Sequence, residues 1–232
     1  MSSVSSGRVY FEVIDYIKRL VGEGKVRFGE KLPSEREMME TLGLSRNSIR
    51  EAMRTLEHMG MTESRQGKGN FLVNHMGKSF TSVFSMLLFT GESSYLEISQ
   101  LRRCLETEAV LLLAGRISPE QTEEMEQIVE RMKSAPGAEC AELDMQFHEK
   151  LMENSGNLLF SVLGEAMQEL YAAEISRVQD VLDRRQTDRL NSLHGKILQS
   201  IKDQNIQDGI CAIREHYDMI DSVLGQKAEN IQ

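Results

Sequence analysis

Two helical patterns separated by only four residues constrain the fold of the first third of the chain. In the stretch PSEREMMETLG, Ser34 follows Pro33 and Glu37 comes three residues later, the S-x-x-E pattern of a capping box that starts a helix. The last residue of the following LGLS, Ser45, can cap a second helix. The apolar positions of this second helix repeat at i, i+3, i+4 and i+7, at Ile49, Ala52, Met53 and Leu56. Two short helices joined by a glycine-containing turn predict a helix-turn-helix.

The second helix carries a polar face of a particular kind opposite its apolar one. Three arginines recur every four residues, at Arg46, Arg50 and Arg54. The start of the helix adds small polar side chains, those of Ser45, Asn47 and Ser48. Base edges in the major groove present donors and acceptors that arginines and small polar groups near a helix N-terminus can reach. The pattern therefore favours DNA recognition, and the alternative is a solvated charged face.

The stretch MTESRQGKGNFLV follows and predicts a β-hairpin with GKG in its turn. Phe71 and Val73 are expected to face inward. Helices followed by such a hairpin form a winged helix. At its tip, Gly67 and Lys68 can approach a phosphate or the minor groove, because glycine has no side chain to obstruct the backbone.

Charge is divided unequally along the chain, whose net charge is −9. Residues 1–77 hold 12 Lys and Arg against 10 Asp and Glu, whereas residues 78–232 hold 15 against 26, giving +2 and −11. Such asymmetry suggests a weakly basic module that meets polyanions, joined to an acidic module with another task. We expect a DNA-binding domain at residues 1–76 and a second domain at residues 77–232.

The second domain shows almost no strand patterns, and its two prolines each stand next to a break between helical stretches. Caps and breakers place its helices near 78–90, 94–115, 119–134, 138–154, 157–183, 186–203 and 206–224. Short connections between such helices indicate an antiparallel bundle. The predicted fold class is mainly α, with an N-terminal winged helix-turn-helix that includes a small β-hairpin and a C-terminal all-α antiparallel bundle.

Four side chains of the bundle have the chemistry of metal ligands. Within LDMQFHEKL, Asp144 and His148 lie four positions apart and so share one face of a helix. His194 and His216 border the apolar stripes of two later helices, and their separation of 22 positions equals one helix arm, a turn and the arm back. Three imidazoles and a carboxylate suit a divalent transition metal, Zn²⁺ first and Ni²⁺ or Mn²⁺ as alternatives. Otherwise Asp144 and His148 form an ordinary i,i+4 contact, and the histidines are core residues with hydrogen-bond partners.

Cysteine usage and apolar runs bear on the compartment. Three cysteines are widely separated and form neither a CxxC pair nor a disulfide framework, which fits a reducing environment. The first twenty residues carry charges where a signal peptide needs an unbroken apolar core, and no apolar run approaches the length that spans a bilayer. We expect a cytoplasmic protein without a membrane segment.

The stretch KLPSEREMMETLGLSRNSIREAMRTLEHMGMTESRQGKGNFLV resembles the winged-helix domain of the GntR family of bacterial transcription regulators. The resemblance implies that Arg36, Arg46, Arg50 and Gly67 contact DNA, whereas Arg54 rests on its spacing alone. One winged helix reads only a short half-site, so we expect a homodimer on a near-palindromic operator of double-stranded DNA.

The DMQFH stretch, together with the later His194 and His216, is similar to the FCD ligand-binding domain of the FadR branch of that family. In metal-containing members an Asp and three His bind the ion, and an arginine in an R-x-x-L-E stretch helps hold a carboxylate ligand. The sequence RRCLE places this arginine at Arg102. The alternative is a local i,i+4 ion pair between Arg102 and Glu106.

The resemblance implies a metal-containing regulator rather than an enzyme, with repression that a small organic or sugar acid relieves. The stretch HEKLM is not the HExxH motif of zinc proteases, and no E-x-x-H pair marks a di-iron bundle. Two alternatives remain open: a metal-dependent enzyme with a DNA-binding appendage, and a direct sensor of the metal itself.

Overall fold

The computed structural model describes the backbone of residues 3–229, and the side chains of those residues except 3–9, 173, 174, 176, 177, 179, 180 and 224–229. The chain divides into two compact units, Met1–Phe80 and Thr81–Gln232. The first unit contains α1 (Ser3–Gly22), α2 (Glu35–Leu42), α3 (Arg46–His58), β1 (Thr62–Arg65) and β2 (Gly69–Leu72). Next, α4 (Met76–Thr90) includes the boundary between the units. The second unit continues with α5 (Tyr95–Leu113), α6 (Pro119–Met132), α7 (Gly137–Asn154), α8 (Leu158–Val181), α9 (Arg184–Lys202) and α10 (Ile206–Glu229).

The helix-turn-helix forms where its caps predict it. Ser34 Oγ accepts a hydrogen bond from the Glu37 backbone N–H at 3.3 Å, and the Glu37 carboxylate accepts one from Ser34 N–H at 2.7 Å. This reciprocal pair starts α2. The helix ends at Gly43, whose φ of 67° lies in the left-handed region that favours glycine. Ser45 Oγ then accepts from Ser48 N–H at 3.2 Å and starts α3.

The hairpin pairs β1 and β2 in antiparallel register, from Thr62 opposite Leu72 to Arg65 opposite Gly69. The apolar faces of α1, α2 and α3 and one side of the hairpin form the core of this unit. The prediction that Phe71 faces inward was wrong, because Leu72 is the β2 residue that is buried. Phe71 is half-buried, and the Arg65 guanidinium lies over its ring at 4.2 Å from the centroid. Val73 is buried as predicted.

The second unit is helical among the residues that the structure describes, and each of its seven expected helices is present with small shifts of its ends. Helices α5 and α10 run antiparallel, since Arg103 contacts Asp218 while Glu106 contacts Tyr217 and Ser99 contacts Asp221. Their core joins the apolar faces of α5, α6, α7, α9 and α10. The predicted fold class, a winged helix-turn-helix plus an α-helical bundle, is confirmed.

One glycine sets how closely α10 approaches its neighbours. A Cβ at Gly209 would lie 2.7 Å from Val110 Cγ1 on α5 and 2.5 Å from Ser200 Oγ on α9. Glycine therefore allows the first turn of α10 to pack against both helices, which fixes the level at which the later turns of α10 meet α5 and α9.

No helix in the described part of the chain is long and apolar enough to cross a membrane.

Candidate functional site

Three helices of the bundle bring the four predicted metal ligands to one point in its core. Helix α7 supplies Asp144 and His148 from adjacent turns of one face, α9 supplies His194, and α10 supplies His216. One ligand atom from each residue lies within 4.8 Å of the others. Each of the four is at most 1% exposed. Apolar residues flank each histidine on its helix. When these residues pack into the core, the histidine beside them also turns inward.

Five of the six distances between the ligand atoms lie between 3.1 and 3.9 Å. His148 Nε2 lies 3.3 Å from both His194 Nε2 and His216 Nε2. Asp144 Oδ1 lies 3.1 Å from His194 Nε2, 3.6 Å from His216 Nε2 and 3.9 Å from His148 Nε2. Two ligands that each lie about 2.0–2.1 Å from one ion at a tetrahedral angle are about 3.3 Å apart. The spacing thus fits a single small divalent ion.

Buried polar atoms without hydrogen-bond partners at the centre of the site also indicate that it can hold an ion. Both carboxylate oxygens of Asp144 are buried and accept no well-directed hydrogen bond from the described residues, although His194 Nε2 approaches Oδ1 closely. An anionic carboxylate buried without hydrogen bonds is costly unless a cation compensates it. The donor set, three imidazole nitrogens and one carboxylate oxygen, is one that Zn²⁺, Ni²⁺ and Mn²⁺ accept. These residues therefore fit a divalent transition metal.

The protonation states favour metal binding at neutral pH. Burial lowers the pKa of His216 to about 4, despite an opposing contribution from Asp144, so its imidazole is neutral near pH 7. Burial alone would raise the pKa of Asp144, but contacts with His194 and His216 hold it well below its ordinary value. A neutral imidazole and an ionised carboxylate are the forms that bind a metal.

A second layer of polar groups surrounds His148. Glu106 on α5 is buried, and its Oε2 lies 2.6 Å from His148 Nδ1. Its other oxygen, Oε1, accepts hydrogen bonds from Tyr217 at 2.7 Å and from Arg102 Nη2 at 3.3 Å. Burial alone would raise the pKa of Glu106, but His148, Arg102 and Tyr217 together hold it below its ordinary value. Glu106 is therefore an anion that only accepts hydrogen bonds.

Arg102, the predicted effector-binding residue, is 4% exposed and forms the local i,i+4 ion pair with Glu106 that the sequence offered as an alternative. Its guanidinium also lies 5.4 Å from the centroid of the Tyr171 ring. Although burial opposes it, nearby Tyr217, Glu106 and Asp144 raise the Arg102 pKa above its ordinary value. Arg102 is thus a permanent cation in the layer next to the metal ligands, and its role toward an effector stays a prediction.

The predicted DNA-contacting residues occupy exposed or half-buried positions in the first unit. Arg46, Asn47 and Arg50 are exposed on α3, and neither arginine forms an ion pair with any residue that the structure describes. By contrast, Arg36 on α2 pairs with Glu40 at 3.0 Å, and Arg54 pairs with Glu51 at 3.7 Å. Of the arginines on α3, Arg46 and Arg50 therefore have the guanidinium groups most available to a ligand.

The remaining predicted contacts lie at turns. Ser45 and Ser48 hydroxyls are 2.9 Å apart, and the Ser45 oxygen also caps α3, so both groups already have local partners. Gly67 has a φ of 71° in the turn between β1 and β2, next to the exposed Lys68. Glycine permits this tight turn at the tip of the hairpin. Whether these residues contact DNA stays a prediction.

Two residues of the site were not found as such from the sequence. The sequence indicates Glu106 only as a partner of Arg102, and it does not indicate Tyr217. A signal was present for Glu106, because Arg102 and Glu106 share the face of α5 that buries Ile98, Ala109 and Leu113. Charged residues on an apolar face need partners inside the core. Tyr217 gave no comparable signal, since a tyrosine next to a core histidine reads as packing.

Family models and relatives agree with this architecture. Residues 9–72 match the model described as "Bacterial regulatory proteins, gntR family", and residues 97–219 match the model described as "FCD domain". The first match contains the helix-turn-helix and the hairpin, and the second contains all four metal-ligand candidates together with Arg102 and Glu106.

Among curated relatives, the "Uxu operon transcriptional regulator" of Escherichia coli is 32% identical over 67% of this chain and 62% of its own length. The "HTH-type transcriptional regulator LutR" of Bacillus subtilis is 24% identical over 92% of this chain and 100% of its length. The chain spans only 60% and 61% of the length of two further curated relatives.

Among solved structures, "Streptococcus agalactiae GntR" aligns with a TM-score of 0.73 and 24% identity, covering 94% of this chain and 99% of that one. This likeness shows a shared fold. Since the FCD match alone takes in residues 97–219 of 232, the chain belongs to the FCD-containing GntR family of bacterial regulatory proteins.

Proposed function

We propose that this protein is a homodimeric transcription regulator whose FCD domain holds one divalent transition metal and senses a small organic or sugar acid. The observation that carries the proposal is the convergence of Asp144, His148, His194 and His216 in the core of that domain. Zn²⁺ is the first candidate, and Ni²⁺ or Mn²⁺ would suit the same donors. The first domain supplies DNA binding and the second supplies the response.

For DNA, we assign base contacts to the exposed start of α3, principally through Arg46 and Arg50. Two arguments support this assignment. Their guanidinium groups are not engaged by acidic residues of the described chain, and both side chains are exposed on α3, outside the stripe of residues that this helix buries. Contacts to the DNA backbone would position the protein without reading the sequence of the DNA. We assign these contacts to Arg36, Gly67, Lys68 and the residues that cap the start of α3. The proposed operator is a near-palindrome, because each of the two identical winged helices in a dimer would bind one short half-site.

For the effector, we assign a carboxylate-binding role to Arg102. The four protein ligands would complete a tetrahedral shell, so a ligand oxygen would bind the ion by expanding its coordination to five or more positions. The chain itself supplies a buried guanidinium next to the metal ligands, held by Glu106 and facing the Tyr171 ring. Charge-assisted hydrogen bonds from arginine to a carboxylate are strong and directional. An incoming acid would share or take this guanidinium from Glu106.

The proposed response is a linkage between the two binding events. An acid that binds one arrangement of the FCD domain more tightly shifts the population toward it, and only this difference in affinity can change DNA binding. We propose repression that the acid relieves. A protein that binds its operator equally with and without metal or acid would contradict this mechanism.

The test is an equilibrium DNA-binding titration by fluorescence anisotropy, with labelled duplex taken from the upstream region of the protein's own gene. Four conditions are compared: chelator, Zn²⁺, small carboxylic acid, and Zn²⁺ with acid. Relief of binding only in the fourth condition supports the proposal, whereas relief by Zn²⁺ alone would instead indicate a direct metal sensor. Incubating the same acids with metal-loaded protein and measuring turnover tests the enzyme alternative, for which we expect no product.

A further inference from the structure

We propose that Glu106 is a positioning residue of the metal centre, which holds the His148 ring with its bare Nε2 directed at the ion. This inference rests on the metal centre proposed above and adds a residue that does not touch the ion. Its basis is the buried contact between Glu106 Oε2 and His148 Nδ1 at 2.6 Å, which joins α5 to α7.

The contact fixes which nitrogen of His148 carries the proton. A neutral imidazole has one N–H, and an ionised carboxylate can only accept a hydrogen bond. His148 therefore donates from Nδ1, and its lone pair lies on Nε2, the atom that is 3.3 Å from the Nε2 atoms of His194 and His216. Without Glu106 the ring could exchange its proton between nitrogens and turn about its last torsion, which is broad for histidine.

Glu106 is itself fixed by groups that leave Oε2 for His148. Tyr217 on α10 and Arg102 on α5 both donate to Oε1, so the two oxygens have separate tasks. The carboxylate thereby connects α5, α7 and α10 at one buried point. A second-layer carboxylate of this kind orients a metal-binding imidazole and raises its basicity as a ligand.

The other two histidines lack such support from the residues that the structure describes. The Nδ1 atoms of His194 and His216 are buried and have no hydrogen-bond partner among the described residues. Of the three imidazoles, His148 is thus the one whose orientation and tautomer the described chain determines through Nδ1. Loss of the Glu106 contact should consequently weaken metal binding without removing any ligand.

The experiment measures Zn²⁺ affinity by competition with a chromophoric chelator, in wild-type protein and in Glu106→Gln. The amide is nearly the same size but is a weaker acceptor, and we expect affinity about 10–100-fold lower. Ser99→Ala is the matched control, because Ser99 is buried on α5 and its hydroxyl reaches Asp221 on α10 without contacting a metal ligand. Its affinity should stay within about twofold of wild type, below the range that loss of a second-layer partner produces.

Glu106→Gln also leaves the Arg102 guanidinium buried without its carboxylate, which could destabilise the bundle for reasons unrelated to His148. The same change is therefore repeated in an Arg102→Met background and compared with Arg102→Met alone, with urea unfolding of each apoprotein as the check on folding. A further measurement is the visible absorption of bound Co²⁺, which reports the geometry of the ligands. It should change in Glu106→Gln and stay the same in Ser99→Ala.

The outcomes separate this inference from the metal centre itself. Equal Zn²⁺ affinity with and without the Glu106→Gln change, in both backgrounds, would overturn the positioning role while leaving the metal centre intact. An equal loss in Ser99→Ala would also overturn it, since general packing would then explain the effect. Wild-type protein that binds no Zn²⁺, Co²⁺ or Ni²⁺ would overturn the metal centre, and this inference with it.

Discussion

The carboxylate of Asp144 and the imidazole of His194 meet across the core of the bundle, with Oδ1 3.1 Å from Nε2. This contact joins α7 to α9 although the two residues are fifty positions apart. We predict that Asp144→Asn or His194→Ala each lowers Zn²⁺ affinity by at least about 100-fold, because each removes one of four ligands from the shell. Chelator competition measures the change.

Histidines outside the bundle provide the control for that prediction. His58 at the end of α3 and His75 before α4 belong to the first unit. Replacing either with alanine should leave Zn²⁺ affinity unchanged. A fall in affinity in these variants comparable with that in His194→Ala would show that Zn²⁺ binds elsewhere.

The start of α3 is predicted to read DNA. Arg46→Ala or Arg50→Ala should each cost about 1–3 kcal/mol of operator affinity and reduce the preference for operator over random duplex, if each makes a bidentate base contact. Arg54→Ala, whose guanidinium pairs with Glu51 on the same helix, is the matched variant and should have a smaller effect. Anisotropy titrations with both duplexes measure this. Unchanged discrimination in both Arg46 and Arg50 variants would exclude α3 as the reading helix.

Ser45 allows its capping role to be separated from its predicted DNA contact. Ser45→Ala removes the oxygen that accepts from Ser48 N–H and should destabilise the first unit by about 1 kcal/mol. Ser45→Asp should restore the cap, because aspartate is an equally good N-cap residue. Its negative charge should nevertheless weaken binding to the phosphate backbone. Urea unfolding measures the capping effect, and DNA titration measures the effect of the charge. Full DNA affinity in Ser45→Asp would show that Ser45 does not lie close to the DNA backbone.

Acid should destabilise the apoprotein through His216. Its pKa in the folded protein is about 4, below the ordinary value of 6.5, so the unfolded chain binds more protons between these values. The stabilising contribution is complete above about pH 6.5 and is lost as the pH falls to about 4. The urea midpoint should therefore decrease from pH 7 to pH 5. The decrease should be smaller in His216→Gln, which cannot titrate, and an identical decrease in both proteins would exclude His216 as a source.

Local and periodic features of the sequence predicted much of this architecture. Caps at Ser34 and Ser45 located α2 and α3, and histidines bordering apolar stripes identified a buried cluster, because these signals depend on neighbours within a turn or two. The distances within the cluster depend on how α7, α9 and α10 pack, which periodicity does not specify. The partner of His148 is long-range in the same sense, since Glu106 reaches His148 only after α5 and α7 meet.

The hairpin shows that prediction from sequence patterns is also limited for residues that are close together in the chain. Alternation predicted Phe71 and Val73 inside. The structure buries Val73 but also its neighbour Leu72, and it leaves Phe71 half-buried under Arg65. Opposite faces alternate only within a strand, and β2 ends at Leu72, so alternation does not govern which way Val73 faces. Short strands therefore carry too few positions to determine which face is buried.

The metal content of the protein tests the central claim most directly. Protein purified without chelator should contain about one divalent transition metal per chain, and removing it should lower the melting temperature, because an ion bound only by the folded bundle stabilises it by mass action. Adding Zn²⁺, Ni²⁺ or Mn²⁺ to the stripped protein should restore the melting temperature, and should not do so in Asp144→Asn. Protein that contains no divalent metal, and whose melting temperature none of the three ions raises, would contradict the account and leave the three histidines as core residues.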